Sequence, residues 1–283
     1  MARVAATERG RAPIDIPAAL AWLGQRTVIG IDEWDGSMYT RTAALGRGTG
    51  RISLRAVGRT SVEVTAWSET ALAAARPRVR HLLGLDDDPR PWLAAFADDP
   101  VLGPRVAEHP GLRMPGSWDA WEMCARAVLG QLVSVAAART LTMRLAERHG
   151  RRLPDGGIVF PDAATVAAGD LDGLGLPNAR RDALRAIAEL VASDGVDLSP
   201  GADPEAAQAA LIALKGIGPW TAMYVRMRAI RDLDAFPAAD LGVLIALADA
   251  NGKRPTEAEA RRRGEAWRPY RGVATMHLWG GLE

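Results

Sequence analysis

The sequence predicts an α+β N-terminal domain, an antiparallel sheet with helices, followed by a mainly α-helical remainder. Residues 51–57 and 61–67 alternate apolar and polar side chains, which is typical of antiparallel strands with one buried face. After about residue 70 this alternation stops, and helix-length apolar patterns separated by Gly and Pro run to the C-terminus. A polar break at residues 86–89 lies between the two regions. We therefore predict one domain at residues 1–88 and a second at residues 89–283.

Local signals predict the individual elements. A short helix over residues 19–26 and a glycine-rich turn at Gly46, Gly48 and Gly50 belong to the N-terminal domain. In the second domain Ser117 is a candidate N-cap for a helix that runs to about residue 129, and Ser134 is one for the next helix. Further helices are predicted over residues 178–193, 205–214, 221–231 and 240–249.

Composition excludes several classes of protein. The chain has 283 residues with 48% hydrophobic and 24% charged residues, and no apolar run approaches the roughly 20 residues of a membrane span. The N-terminus lacks the apolar segment of a secretory signal, so we expect a soluble, cytoplasmic protein, and a monomer. Cys124 is the single cysteine, which excludes an intrachain disulfide and a four-thiolate metal cluster. The net charge of +1 permits a nucleic-acid partner without requiring one.

Residues 211–243 carry the most informative pattern. Two predicted helices flank Gly216, Ile217 and Gly218, and these glycines permit a tight hairpin with positive φ. Pro219 follows at the first turn of the next helix, where its missing N–H has no cost. Backbone amides at such a helix start attract anions, and a DNA phosphate fits there. The glycines alone favour an ordinary helix–turn–helix connection.

The residues after the hairpin favour the DNA-binding interpretation. Asp240 follows Gly218 by 22 residues, at the predicted start of a helix. This spacing resembles the helix-hairpin-helix DNA glycosylase superfamily, and within it the AlkA type of 3-methyladenine glycosylase. Three more segments carry the resemblance, namely residues 110–138, 174–188 and 265–279. The resemblance is good from about residue 82 onward and loose before it. The resemblance implies a helical core of two subdomains with the catalytic cleft between them.

The resemblance implies that Asp240 is the catalytic carboxylate of an enzyme that hydrolyses the N-glycosidic bond of alkylated bases in duplex DNA. A carboxylate there stabilises the positive charge that builds on the sugar as the bond breaks. Asp240 also suits an N-cap, and the two roles are compatible. Superfamily members that also cut the strand carry a Schiff-base lysine two residues after the hairpin. Here that residue is Trp220, and Lys215 precedes the glycines, so no lyase step is expected.

An aromatic base pocket is the second implied feature. Trp220, Tyr224 and Met227 recur at spacings of four and three, so they share one helical face. The resemblance assigns this face to the base pocket, together with Trp279 and Trp22. Electron-rich rings attract a cationic methylated purine. Core packing is the alternative role for these side chains.

The resemblance also implies DNA contacts. Gln131 and Leu132 lie between two predicted helices, where the family inserts an apolar wedge into the gap left by the flipped base. Leu132 would be the wedge, and an interhelical core contact is its alternative. The phosphate-binding hairpin would be Gly216, Ile217, Gly218 and Thr221. Candidate phosphate contacts elsewhere are Arg180, Arg181, Arg226, Arg228 and residues 261–263. The run at residues 261–263 is better explained as a solvated helix face.

No cofactor is expected to be required. Several relatives hold a monovalent cation, Na⁺ or K⁺, through hairpin carbonyls, and Ile212, Leu214 and Ile217 occupy those positions. Some relatives carry aromatic residues where this chain has Leu241 and Gly280, so the pocket is expected to be more open. Three alternatives remain: a glycosylase of the same fold for oxidised or deaminated purines, a non-catalytic hairpin DNA-binding protein, and a helical interaction protein without DNA.

Overall fold

The computed structural model describes residues 3–280. Its N-terminal part is an antiparallel sheet of five strands in the order β1–β5–β4–β3–β2. These strands are β1 (Val4–Arg9), β2 (Asp32–Trp34), β3 (Met38–Leu45), β4 (Gly48–Val57) and β5 (Ser61–Ala66). The two strands predicted from alternation are β4 and β5, and pairing of Leu54 with Val64 and Ala56 with Val62 places their apolar side chains on one face. Strand β3 was not predicted from the sequence, because it is buried on both faces and its residues do not alternate between apolar and polar.

Two helices, α1 (Ile16–Gly24) and α2 (Glu69–Leu83), pack against this sheet. Helix α1 begins before the predicted 19–26 because Asp15 caps it, accepting a hydrogen bond from the Ala18 amide at 3.0 Å. The predicted role of the glycines at 46–50 was only partly right. Gly46 makes the turn with φ +59, whereas Gly48 and Gly50 lie in β4 beneath Trp67. A Cβ on Gly50 would stand 2.5 Å from the Trp67 ring, so close approach, not a turn, requires glycine there.

The rest of the chain is mainly helical, as predicted. Its helices are α3 (Arg90–Phe96), α4 (Leu102–Glu108), α5 (Ala120–Leu129), α6 (Val135–His149), α7 (Ala163–Ala168), α8 (Asn178–Ala192), α9 (Pro204–Ile212), α10 (Pro219–Val225), α11 (Leu241–Ala246), α12 (Glu257–Gly264) and α13 (Arg271–Gly280). The expectation of no strands after residue 70 was wrong, since β6 (Arg151–Arg152) and β7 (Ile158–Val159) form a short ladder.

The two predicted serine caps had different outcomes. Ser134 caps α6, with its hydroxyl accepting from the Ala137 amide at 3.2 Å. The prediction for Ser117 was wrong, because Asp119 caps α5 by accepting from the Glu122 amide at 2.9 Å. The carboxylate two residues later satisfies the free amides of the first turn, so the helix starts there.

The helices enclose two separate hydrophobic cores. Helices α5 to α10 surround one core, with Leu129, Leu184 and Val225 among its buried side chains. Helices α3, α4 and α11 to α13 surround the other, around Trp92 and Phe96. The chain therefore passes from the second core to the first and back, and the cleft between them is bordered by α10, α11 and α13. No helix within residues 3–280 is long and apolar enough to cross a membrane.

Candidate active site

Helix α10 starts at Pro219, as its N1 position predicts, but does not continue as an α-helix to residue 231. It runs into a π-helical turn over Arg226–Ile230, closed by a hydrogen bond from the Arg231 amide to the Arg226 carbonyl. Arg228 follows Tyr224 by four residues and lines the cavity beside it. Met227, three residues after Tyr224, is fully buried against Met114 and Met276. The prediction that Met227 lines the pocket was wrong, because its side chain packs in this methionine cluster.

Asp240 lies at the mouth of the cleft and caps α11. Its Oδ1 accepts hydrogen bonds from the Val243 amide at 3.1 Å and from Trp279 Nε1 at 2.8 Å. Its Oδ2 accepts one from Trp220 Nε1 at 2.9 Å. The cap expected from the sequence is therefore present, and two indole rings hold the same carboxylate toward the cavity. Donors from three elements fix its orientation.

The aromatic residues predicted for the pocket come together at this carboxylate. The rings of Trp220 and Tyr224 are stacked, with centroids 5.2 Å apart and planes 7° from parallel. Trp279 meets Tyr224 at 6.3 Å and 50°. Together with Trp22 and Asp240 they line a cavity of about 400 Å³. That volume lies in the range of small-molecule sites.

Trp22 has two guanidinium groups close to its ring, whereas Tyr224 has one at a greater distance. The guanidinium carbon of Arg26 lies 3.8 Å from the ring centroid, and that of Arg228 lies 4.7 Å from it. Its π face is thus engaged by cations of the protein. Trp220, Tyr224 and Trp279 form the wall on which a base can stack.

Two arginines predicted to contact phosphates are engaged inside the protein. Arg228 is 5% exposed and donates to the carbonyl oxygens of Pro115 at 2.7 Å and Gly116 at 3.1 Å. Arg226 forms ion pairs with Asp232 at 2.5 Å and with Glu205 at 2.8 Å. These two predictions were wrong, because both guanidinium groups are held by partners within the protein. Arg180, Arg181 and residues 261–263 lie on partly or fully exposed helix faces, and their role stays a prediction.

The sequence did not reveal a buried ionic network that lines the inner end of the cavity. Glu122 accepts from Arg41 and Arg126, both at 2.7 Å, and Asp32 accepts from the Tyr39 hydroxyl at 2.8 Å. Burial raises the pKa of Glu122, but the two guanidinium groups outweigh that effect and hold it below its ordinary value. The network joins the N-terminal sheet to α5. A glutamate inside the otherwise apolar start of α5 was the signal available in the sequence.

The hairpin precedes α10. Gly216 has φ +87, and a Cβ there would stand 2.8 Å from the Cβ of Ala183. Gly218 has φ −84 and open space around it, so the expected positive φ holds for Gly216 alone. Gln131 Nε2 donates to the Gly216 carbonyl at 3.1 Å and to Thr221 Oγ1 at 2.9 Å. Gln131 therefore ties the α5–α6 connection to the hairpin.

Leu132 is the side chain that projects from the α5–α6 connection. It is 100% exposed and its φ is 55, a left-handed conformation that is unfavourable for a leucine. The alternative of an interhelical core contact is excluded by this exposure. An exposed apolar side chain on a strained backbone next to a cleft suits the wedge role.

The hydrogen bonds of the hairpin do not decide whether its carbonyls hold a monovalent cation. The Leu214 carbonyl accepts from the Ile217 amide at 3.1 Å and keeps a second lone pair. Among residues 3–280 no group of three His, Cys, Asp or Glu side chains is arranged to hold a metal ion. A cation held by the carbonyls of Ile212, Leu214 and Ile217 stays a prediction.

Comparison with known proteins places this geometry in a family. The AlkA N-terminal domain family matches residues 9–119. The chain is 34% identical over 275 residues to DNA-3-methyladenine glycosylase 2 of Escherichia coli K12, a match that covers 94% of each protein. The chain belongs to the AlkA family of helix-hairpin-helix DNA glycosylases. This AlkA-family chain is also 36% identical over 278 residues to a probable bifunctional transcriptional activator/DNA repair enzyme AlkA of Mycobacterium tuberculosis. That match covers 96% of the chain and 56% of the relative, so the chain spans about half of that protein's length.

The fold of this AlkA-family chain agrees with a solved structure. It superposes on a 3-methyladenine DNA glycosylase from Archaeoglobus fulgidus with a TM-score of 0.80 at 21% identity, covering 99% of this chain and 97% of the other. The fold class predicted from the sequence, an α+β N-terminal domain followed by a two-part helical core, is confirmed. Leu241 is 58% exposed beside Asp240, and a Cβ on Gly280 would meet nothing within 4 Å, so neither closes the AlkA-type pocket.

Proposed function

We propose that this protein is a monofunctional DNA glycosylase that hydrolyses the N-glycosidic bond of alkylated bases, 3-methyladenine among them, in damaged duplex DNA. The observation that carries the proposal is the carboxylate of Asp240 held by the indoles of Trp220 and Trp279 at the edge of an aromatic cavity. A DNA-binding module or an interaction protein has no use for such a carboxylate. The proposal includes a cytoplasmic location, because the substrate is DNA. It also includes a monomeric state.

The proposed reaction begins with DNA bound at the hairpin and the damaged base flipped into the cavity. Leu132 fills part of the gap, which offsets the few kcal/mol of unstacking. The base stacks on the wall of Trp220 and Tyr224, whose π faces favour a positively charged ring. Flipping brings the glycosidic bond to the mouth, near Asp240.

Hydrolysis then breaks the bond between C1′ and the base nitrogen, and both electrons leave with the base. Positive charge builds on the sugar, and the Asp240 carboxylate stabilises it. A water molecule adds to C1′, and its proton passes to the carboxylate and on to solvent. The products are the free base and an abasic site. A cationic base is a good leaving group, so a strong general acid is not needed.

The proposal includes no strand cleavage and no required cofactor. Trp220 occupies the position of the Schiff-base lysine, and its indole N–H is bound to Asp240. Lys215 is exposed on the other side of the glycines. A monovalent cation on the carbonyls of Ile212, Leu214 and Ile217 remains part of the proposal, where it would help hold a phosphate at the hairpin.

The first experiment measures release of free methylated bases from alkylated duplex DNA by the wild-type protein and by Asp240→Asn. We expect 3-methyladenine with the wild type only, while both proteins bind DNA with similar affinity. Asp162→Asn is a matched control, because Asp162 caps α7 in the same way, accepting from the Thr165 amide at 2.7 Å, outside the cavity.

Two outcomes would contradict the proposal. Release by Asp240→Asn within about tenfold of the wild type, roughly 1.4 kcal/mol of barrier, would remove Asp240 from the mechanism. DNA binding without release of any methylated base by the wild type would indicate a binder or a different lesion.

A further inference from the structure

Arg228 is a positive charge built into the wall of the proposed base cavity. Its residue is 5% exposed and its side chain lines the cavity alongside Tyr224 and Trp22. The guanidinium carbon lies 4.7 Å from the ring centroid of Trp22 and 5.8 Å from that of Tyr224. Nothing in the proposed release of a cationic base requires a cation there, and like charge opposes such a base.

The partners of Arg228 are all uncharged. Nε donates to the Pro115 carbonyl at 2.7 Å, Nη2 to the Gly116 carbonyl at 3.1 Å, and Nη1 to the Tyr224 hydroxyl at 3.3 Å. Two other buried arginines pair with carboxylates, Arg41 with Glu122 and Arg271 with Asp234, whereas Arg113 resembles Arg228 in donating to carbonyl oxygens. Burial lowers the pKa of the Arg228 guanidinium, as expected for a cation that lacks an anionic partner.

The hydrogen-bond count shows what such a group still offers. A guanidinium has five N–H donors, and these three contacts use three of them. One N–H on each terminal nitrogen remains, beside the cavity. A buried cation is stabilised by an oxygen that carries partial negative charge, and the flipped base can bring one as a ring carbonyl.

We propose that Arg228 is a specificity-determining residue that donates a hydrogen bond to a carbonyl oxygen of the flipped base and so favours oxopurines over aminopurines. The proposal rests on the proposed glycosylase function. Hypoxanthine, a neutral base with a carbonyl at C6, gains this hydrogen bond. The cationic 3-methyladenine carries an amino group at C6, gains nothing from Arg228 and is opposed by its charge.

The test compares single-turnover release of hypoxanthine and of 3-methyladenine from matched duplexes by the wild type, Arg228→Met and Arg228→Lys. Arg228→Met is expected to slow hypoxanthine release by about tenfold or more, the usual value of a hydrogen bond to a charged group. It is expected to speed 3-methyladenine release, because the charge that opposes the cationic base is gone. Arg228→Lys keeps the charge and loses the planar fork, so its rate of hypoxanthine release should lie between those of the wild type and Arg228→Met.

Changes in opposite directions separate a specificity role from a structural one. If both releases fall by the same factor in Arg228→Met, Arg228 only supports the fold and the proposal is overturned. Arg113→Met is the matched control, because Arg113 is also buried and donates to carbonyls, those of Arg11 and Pro13, outside the base cavity. Its substitution should leave the ratio of the two releases unchanged.

A measurement on the wild type covers the case in which Arg228→Met does not fold. Free hypoxanthine should inhibit release of 3-methyladenine at lower concentration than free adenine does, and the reverse order overturns the proposal. A wild type that releases hypoxanthine but no methylated base refutes the proposed alkylation repair while supporting the role of Arg228. A wild type that releases methylated bases but no hypoxanthine refutes the role of Arg228 alone.

Discussion

Trp279 and Asp240 are joined by a hydrogen bond of 2.8 Å from the indole nitrogen to Oδ1, although they lie 39 residues apart. Trp220 donates to the other oxygen from a third element. The position of the carboxylate therefore depends on helices α10 and α13 as well as on its own helix.

We expect Trp279→Phe to slow base release by about tenfold or more, because it keeps a ring but removes a donor to a charged acceptor. DNA affinity should not change. The measurement is single-turnover release alongside a binding titration. Trp267→Phe is the control: it removes a 2.8 Å indole hydrogen bond to Asp99 in the core around Trp92 and Phe96, away from the cavity, and should lower stability without slowing release. Equal rates for Trp279→Phe and the wild type would show that Trp279 does not position Asp240.

Borohydride is expected to trap no covalent complex between this protein and DNA. Trapping requires an imine between an amine and the sugar, and Trp220 occupies the lysine position. The assay is a denaturing gel of protein incubated with damaged duplex and borohydride, with a strand-cutting glycosylase of the same fold as the positive control. A trapped band from this protein would refute the monofunctional assignment.

Leu132→Gly should change stability and activity in opposite directions. Leucine at φ 55 is strained by roughly 1–2 kcal/mol, part of which glycine relieves, so the free energy of unfolding should rise by about 0.5–1 kcal/mol. Loss of the wedge should slow base release. Leu132→Ala serves as the control, since it removes the wedge and keeps the strain. Chemical denaturation measures the stability of Leu132→Gly and Leu132→Ala, and release kinetics measure their activity. Unchanged base release in both variants would exclude a wedge role.

The hairpin glycines should differ in their tolerance of a side chain. Gly216→Ala places a Cβ 2.8 Å from Ala183 at φ +87, and it should lower the free energy of unfolding by about 1–3 kcal/mol. Gly218→Ala meets open space at φ −84 and should lower it by no more than about 1 kcal/mol, the cost of a weaker N-cap. Thermal denaturation measures both. The reverse order would contradict the hairpin geometry.

His277 should make the protein less stable in acid. It is 2% exposed with neither ring nitrogen hydrogen-bonded in the described chain, and burial lowers its pKa from 6.5 to about 4. Between these pH values the unfolded chain holds a proton that the folded chain lacks. The free energy of unfolding therefore falls as pH drops from 6.5 to 4, by about 1.4 kcal/mol per pH unit from this residue.

The check on His277 is urea denaturation at several pH values for the wild type and His277→Leu. The variant should show a shallower dependence over this window. His81, whose pKa burial also lowers to about 4, remains in both proteins and contributes equally to each. The same slope in both proteins would mean that His277 is protonated in the folded state.

Much of the site was predictable from residues close in sequence. The hairpin glycines and Pro219 at the helix start are local signals, because turns and helix ends are set by neighbouring residues. The interval from Gly218 to Asp240 became informative through the family resemblance. The recurrence of Trp220 and Tyr224 at four residues likewise predicted their shared face. The stacked pair at 5.2 Å confirms it.

The sequence by itself determined the order of elements and the transition from an α+β to a helical region, since periodicity and turn residues report on local structure. Its resemblance to a known family indicated the candidate carboxylate. Only the tertiary structure decided the inside of the cavity. Met227 and Arg228 follow Tyr224 by three and four residues, and packing buried Met227 among other methionines and left Arg228 in the cavity wall, a choice that helical spacing does not make. The bonds from Trp279 to Asp240 and from Arg41 to Glu122 join residues 39 and 81 positions apart. Such contacts arise from how helices and sheet pack, which no local pattern encodes.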